Sequence, residues 1–235
     1  MELKAMSFNI QHCRNFITGE IDFDFFAQAI ASTGADIIGL NEVRGKGADP
    51  EYEDQTSILA EKLGFSSYFS EAIAFDGKNP YGNAILSRYP IISAVTEGIP
   101  DPAVKTGKEY YETRALLKAK VDYAGGVNVL VTHFGLNTDE HLNAEKTVLA
   151  NIPDSRCILM GDFNMKPDSS VISRISARLN DTAGVNDGPM PTFPSDKPDR
   201  KIDYIFVSED IKVREAFIPD LIVSDHRPCI AVLDI

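Results

Sequence analysis

The chain has 235 residues, of which 43% are hydrophobic and 25% charged, and 35 acids against 23 lysines and arginines set its formal charge at −12. A chain of this length buries roughly 70 to 75 per cent of its unfolded surface, enough for one sizeable core, so one domain spanning 1–235 is expected. The acidic balance, with no basic run longer than Arg200-Lys201, disfavours nucleic acid as the main partner.

Three scattered cysteines, Cys13, Cys157 and Cys229, lack any CxxC spacing. They indicate neither a disulfide framework nor a zinc site and fit a reducing compartment. No apolar stretch approaches the ~20 residues of a membrane span, and no basic, apolar leader precedes Leu3. A cytoplasmic monomer without a membrane span is expected.

In chain order, Leu3 to Asn9 reads as a strand, and Phe23, Phe26, Ala27 and Ile30 recur at helical spacing behind Asp22, predicting a helix over 22–32. Asp36 to Leu40 is a short apolar strand that closes in Asn41-Glu42, and a second helix over 54–63 stops at Gly64. From 66 to 133 the pattern turns to strands, at Ser66–Ala74, Asn83–Ser87, Ile91–Glu97, Arg114–Tyr123 and Val127–Thr132, with a hairpin turn at Gly125-Gly126. Helices return at 138–150 and 169–178 on either side of the strand Cys157–Met160, and strands near 202–207, 212–217 and 229–234 close the chain. The middle third lacks helices, which argues against an all-parallel doubly wound fold. Two mixed, mainly antiparallel sheets packed face to face, with helices on the outer faces, fit better.

Several strand patterns close on, or lie beside, polar side chains able to hold metal or phosphate: Asn9, Glu42, His133, Asp162 with Asn164, and Asp225 with His226. One such position is ordinary, since turns and caps use the same residues. Five are not. The set is rich in carboxylate and carboxamide oxygen and has no clustered thiolates, the ligand chemistry of a hard cation such as Mg2+ or Mn2+. Such an ion is held by one or two carboxylates together with substrate phosphate, which suits phosphoester hydrolysis.

Ser7-Phe8-Asn9, Asn41-Glu42-Val43, Gly82-Asn83-Ala84-Ile85-Leu86-Ser87, Thr132-His133, Gly161-Asp162-Phe163-Asn164, Ile202-Asp203-Tyr204 and Ser224-Asp225-His226-Arg227-Pro228 together resemble the endonuclease/exonuclease/phosphatase superfamily, the deoxyribonuclease-I-like hydrolases. Thr192-Phe193-Pro194-Ser195-Asp196, leading into Ile202-Asp203-Tyr204, is similar to its small bacterial metal-dependent hydrolases. The resemblance implies an α/β four-layer sandwich and an Mg2+- or Mn2+-dependent phosphoric ester hydrolase. It makes Glu42 the principal metal ligand, with Asn9 beside it and Asp225 completing or flanking the site. Asp162 would orient or deprotonate the attacking water, and Asn164 would position that water or bond to phosphate. His133 and His226 would flank the phosphate, Arg114 would contact it, and Asn83 would either touch substrate or bridge neighbouring loops. Asp225 adjoins His226 but should project differently, so Asp203 is the expected partner of that imidazole.

Two other functions are open at this point. A nuclease using the same groups requires a basic surface around Arg14, Arg44, Lys46 and Arg88. A catalytically idle partner-binding domain should have lost one of these polar groups, and none is missing.

Overall fold

The computed structural model describes residues 1–235. Two six-stranded sheets stack face to face. The first contains β1 (Glu2–Asn9), β2 (Ile37–Arg44), β3 (Ser66–Phe75), β4 (Asn79–Ser87), β11 (Lys212–Phe217) and β12 (Cys229–Asp234), ordered β11-β12-β1-β2-β4-β3. The second contains β5 (Ile91–Ile99), β6 (Arg114–Val121), β7 (Val127–His133), β8 (Cys157–Asp162), the two-residue β9 (Asn180–Asp181) and β10 (Asp203–Val207), ordered β5-β6-β7-β8-β10-β9. Only β1–β2 and β7–β8 pair in parallel. These two pairs are the ones whose connections contain a helix, as parallel neighbours require.

Period-two patterning sorts the strand side chains into layers. On β1, Leu3 and Ala5 enter the core between the sheets with Ile37, Val129, Val131 and Met160. Met6 and Phe8 face the other way, into a core shared with α1 (Phe23–Thr33) and α2 (Gln55–Leu63) through Phe26, Ile30 and Leu59. The second sheet's outer face, with Leu116, Leu130, Leu159 and Phe206, is covered by α3 (Thr138–Asn151) and α4 (Ser170–Ser176). The four expected layers are present. Each of the first two helices starts on an aspartate, Asp22 or Asp54, that accepts from a backbone N–H of the first turn, and ends on a left-handed glycine, Gly34 or Gly64.

Element boundaries depart from the sequence reading mainly where local signals compete. β4 begins at Asn79 rather than Asn83, and β6 ends at Val121 while Tyr123 joins the turn completed by Gly125 and Gly126. Glu42 does not close its strand. The β2–β4 register shifts between Leu40 and Val43, Glu42 takes φ 58°, and pairing resumes to Arg44. This bulge re-aims one side chain without ending the strand.

Register brings the polar residues to one end of the sandwich. Asn9 pairs with Asn41, His133 with Asp162, and Asp162 with Asp203. β12 runs antiparallel to β1, so the residues just before Cys229 reach the same end, as does Arg114 at the start of β6. Parallel β7 and β8 approach closely there: a Cβ on Gly161 would lie 1.8 Å from the Thr132 carbonyl oxygen, which is why the residue before Asp162 has no side chain.

Asn41, fully buried, ties the two sheets at this end. Its amide donates to Asn83 Oδ1 at 2.8 Å and to the Thr132 carbonyl at 2.9 Å, and its Oδ1 accepts from the Asp162 backbone N–H at 2.9 Å. Replacing Asn41 by Leu strands these three groups in a dry interface, at roughly 1–3 kcal/mol for each unsatisfied group. The expected result in a urea titration is a loss of more than about 3 kcal/mol of stability.

Candidate active site

Asp162 stands at the centre of the polar cluster. It is 1% exposed; its Oδ2 accepts from Asn9 Nδ2 at 3.2 Å, and its Oδ1 accepts from the Asn164 backbone N–H at 2.8 Å. Two imidazole nitrogens approach the same Oδ2, His133 Nε2 at 3.6 Å and His226 Nε2 at 3.7 Å. Burial, and then the neighbouring Asp203 charge, raise the Asp162 carboxyl above the ordinary aspartate range. A carboxylate so placed is a stronger base than a solvated one.

His226 is held from behind. Its Nδ1 lies 2.8 Å from Asp203 Oδ2, which also accepts from Thr192 Oγ1 at 2.6 Å, and the Phe193 ring packs 4.7 Å from the imidazole. Burial by itself would lower this histidine. The Asp203 charge, followed by Asp162, outweighs it and pushes the imidazole up to about 10. The partner of His226 is thus Asp203, twenty-three residues away in sequence, and not the adjacent Asp225. Asp225 turns elsewhere, accepting from Gln11 Nε2 at 3.1 Å and from its neighbour Ser224.

Asn9 links the two halves of the site, because its Nδ2 also donates to Glu42 Oε1 at 3.0 Å. Burial, and then the nearby Glu42 charge, push the Tyr81 phenol well up. Gln11 joins Asp225 to this group, since its backbone N–H donates to Asn9 Oδ1 at 3.1 Å. Its chain geometry is unusual: Gln11, His12 and Cys13 all have positive φ, at 42°, 47° and 60°. Such a left-handed run without glycine is strained, and it persists where surrounding bonds enforce it.

The remaining expected residues are also placed. Asn164 donates through Nδ2 to the Phe134 carbonyl at 3.0 Å and lies beside His133. Arg114 pairs with Glu112 and stands 2.9 Å from His133 Nδ1. Asn83 is 2% exposed with both ends of its amide engaged, donating to the Ala115 carbonyl at 3.0 Å and accepting from Asn41, so it bridges the sheets. His12 sits beside Tyr81, with a buried Nδ1 that has no partner. His141 bonds the Gly135 carbonyl at 2.8 Å, and Arg227 holds the Ser195 carbonyl and Asp220.

Of the four residues named for a nuclease's basic surface, the three arginines are engaged within the chain, while Lys46 stands exposed in no ion pair. Arg44 is paired with Glu51 and lies over Tyr52, while Arg88 is paired with Asp36. Arg88 also follows the end of β4 that pairs with Ile37, at the opposite end of the sheet from Glu42. Arg14 is spent on the Gly19 carbonyl.

Sequence reasoning passed over Gln11, Tyr81, Glu112 and Thr192 and gave Asn41 no role. Thr192 stood in a quoted segment and Gln11 two residues from Asn9, but nothing along the chain shows that either meets a carboxylate. For His226 the sign of linkage is definite. Its folded-state pKa is raised, so the stability it contributes is present below the unfolded value near 6.5 and is lost as pH rises through about 10. Asp203→Asn should bring the imidazole titration down from about 10 and erase that loss, read by NMR titration and by denaturation against pH in chelator-treated protein.

Known proteins resemble this chain in sequence or in fold. The uncharacterized protein YbhP of Escherichia coli (strain K12) is 28% identical over 233 residues, covering 92% of this chain and 87% of that one. An endonuclease/exonuclease/phosphatase from Beutenbergia cavernae DSM 12333 superposes over 100% of this chain and 72% of its own, at TM-score 0.80 and 22% identity. A mannosyl-6-phosphatase of Bacteroides thetaiotaomicron VPI-5482 does so over 99% and 100%, at TM-score 0.76 and 17% identity. The model of the Endonuclease/Exonuclease/phosphatase family matches residues 6–226, a span that takes in every residue of the cluster, and the chain belongs to that family of phosphoric ester hydrolases.

Proposed function

We propose that this chain is an Mg2+- or Mn2+-dependent phosphoesterase that hydrolyses a phosphodiester or small organic phosphate with an activated water. The observation that carries the reading is Asp162, a buried, proton-seeking carboxylate between two imidazoles of opposite character. One of them is pushed up by Asp203 and the other held down by burial and Arg114.

The donor set fits a hard cation. The Glu42 carboxylate accepts from a neutral group, the Asn9 amide, and makes no ion pair, and it shares the site with three aspartates. Asp162, Asp203 and His226 also offer ligand atoms within 4.8 Å of one another. There the Asp203–His226 bond already occupies the imidazole, so we read that trio as a charge-coupled dyad beside a base. The oxygen-rich pair Glu42 and Asn9, with Asp225 joined through Gln11, suits Mg2+ or Mn2+. When bound there, the ion supplies Lewis-acid neutralisation of the charge that develops on the leaving oxygen.

The protein groups divide the remaining work. Asp162 takes a proton from water as the water oxygen bonds to phosphorus, and the bond to the leaving oxygen breaks with its electron pair staying on that oxygen. His226, charged and fixed by Asp203, donates from Nε2 to a non-bridging oxygen and offsets the charge of the transition state. Asn164 holds Asp162 in place through its backbone N–H, and Asn83 acts from behind through Asn41 and Ala115. With Arg44 and Arg88 paired and a charge of −12, the protein suits a compact phosphoester better than a polynucleotide.

Two experiments test this reading. On an activated phosphodiester or monoester, Asp162→Asn and His226→Ala should each lower kcat by on the order of 10²- to 10⁴-fold; chelation should abolish turnover, and Mg2+ or Mn2+ should restore it. Wild-type turnover by either variant refutes the assignment. Gln11→Leu removes the link between Asn9 and Asp225, so the Mg2+ concentration for half-maximal activity should rise by about 10- to 100-fold while the urea unfolding midpoint stays near wild type.

A further inference from the structure

The two histidines of the site differ in what holds Nδ1. At His226 the partner is a carboxylate, which accepts; at His133 it is Arg114 Nη1, at 2.9 Å, and a guanidinium only donates. Of the two donors flanking the ring, the charged guanidinium at 2.9 Å outranks the Asn164 amide at 3.2 Å, which assigns His133 Nδ1 as the bare, accepting nitrogen and the ring as neutral with its one N–H on Nε2.

What faces that N–H is decided by Asn164. Its Nδ2 lies 3.2 Å from His133 Nε2 and also donates to the Phe134 carbonyl at 3.0 Å. Turning the amide over would set its oxygen against that carbonyl, so Asn164 presents a donor to a donor. The nearest acceptor is Asp162 Oδ2, at 3.6 Å, beyond good hydrogen-bond distance. His133 is 5% exposed, so its N–H is a buried donor lacking a close acceptor, and such a group calls for an oxygen brought by a ligand. Arg114 is held in turn by Glu112, whose carboxylate pairs with it at 13% side-chain exposure.

We propose that Arg114 is a positioning residue: clamped by Glu112, it fixes His133 as the Nε2–H tautomer and so aims one neutral donor at a non-bridging oxygen of the phosphoryl group. The identity of that oxygen rests on the phosphoesterase reading; the tautomer does not. The arginine thereby acts through the histidine, in place of the direct phosphate contact that the family resemblance implies. Burial first, and then the Arg114 charge, keep this ring from charging. His226 and His133 are set as a cationic and a neutral donor by one exchange of partner, Asp203 against Arg114.

The test is long-range 1H–15N correlation on the full chain with 15N-labelled histidine, near neutral pH, in chelator and then in Mg2+. Wild-type protein should show His133 protonated at Nε2 and bare at Nδ1. Arg114→Met should shift the ring toward the Nδ1–H form, and Arg114→Lys, whose ammonium also only donates, should restore the wild-type tautomer. In turnover of an activated phosphodiester, Arg114→Met should lower kcat by about 10- to 100-fold, and the Arg114→Met/His133→Ala double variant should be no slower than His133→Ala alone. A wild-type ring protonated at Nδ1, a tautomer indifferent to Arg114→Met, or an additive double variant overturns the proposal. If Arg114→Met does not fold, Glu112→Gln replaces it, and the wild-type spectrum decides the tautomer without any variant. Wild-type protein that lacks turnover yet shows the Nε2–H ring refutes the phosphoesterase reading and leaves the tautomer standing.

Discussion

The site depends on one buried amide. Asn41 uses one donor and its acceptor across the gap between the sheets, to the Thr132 carbonyl and the Asp162 N–H, and its other donor on Asn83 of its own sheet. Each of those groups neighbours or belongs to a residue of the polar cluster: Thr132 precedes His133, Asp162 is the proposed base, and Asn83 passes the constraint to Ala115, beside Arg114. Apolar contacts between the sheets resist separation but tolerate sliding, because they have little directionality. A fully satisfied polar group in that interface selects one alignment, since any slip strands several buried donors and acceptors together. The relative position of residues from β2, β4, β7 and β8 is thereby held, and the Asn9–Asp162 bond adds a second polar tie between the sheets.

Backbone strain gathers at the same end. Of the eight non-glycine residues with positive φ, Gln11, His12, Cys13, Glu42 and Asn164 all belong to the site or its rim. Left-handed backbone at such residues costs on the order of 1–3 kcal/mol each, and at Gln11, Glu42 and Asn164 it accompanies a break from regular strand alternation beside the polar cluster. Charge is also concentrated. Glu42, Asp162, Asp203 and Asp225 converge, and Asp203 Oδ1 is buried without a partner. Burial and the neighbouring Asp203 charge raise Asp162, and the Asp203 and Asp162 charges outweigh burial to raise His226. One imidazole is converted to a cation and one carboxyl is biased toward its neutral form.

Much of this was legible in the sequence, for a physical reason. Strands buried on both faces write long apolar runs, helices write their caps, and catalytic side chains at strand ends interrupt those runs with polar letters, so Asn9, His133 and Asp162 stand out. Asp203 could be chosen over Asp225 for His226 because adjacent residues on extended chain point to opposite sides. The Glu42 bulge, the left-handed turn at Gln11 and the partners Tyr81, Glu112 and Thr192 left no such mark. Their roles arise from contacts between segments far apart in the chain, and neither the letters nor their spacing encode where a loop returns. Asn83 shows the limit most clearly: the motif flagged the residue, but only the fold reveals that both ends of its amide are taken from behind.

Specificity must then reside in parts of the chain that the amide hub does not constrain. The segment between β5 and β6 is tied to the start of α3, where Asp139 accepts from the Thr106 N–H and hydroxyl and from the Tyr111 hydroxyl, and Asn137 binds both backbone groups of Glu109. These bonds fix the path of the backbone, yet Val104 and Tyr110 on the same segment remain 71% and 67% exposed. The segment leads directly into Glu112 and Arg114. A substitution at Val104 or Tyr110 can therefore alter what the rim contacts while leaving the Glu112–Arg114–His133 chain in place, whereas one at Asn137 or Asp139 loosens the path that delivers the arginine. The two features of this strap are separable because different atoms carry them: outward side chains in the first case, backbone groups bonded to α3 in the second.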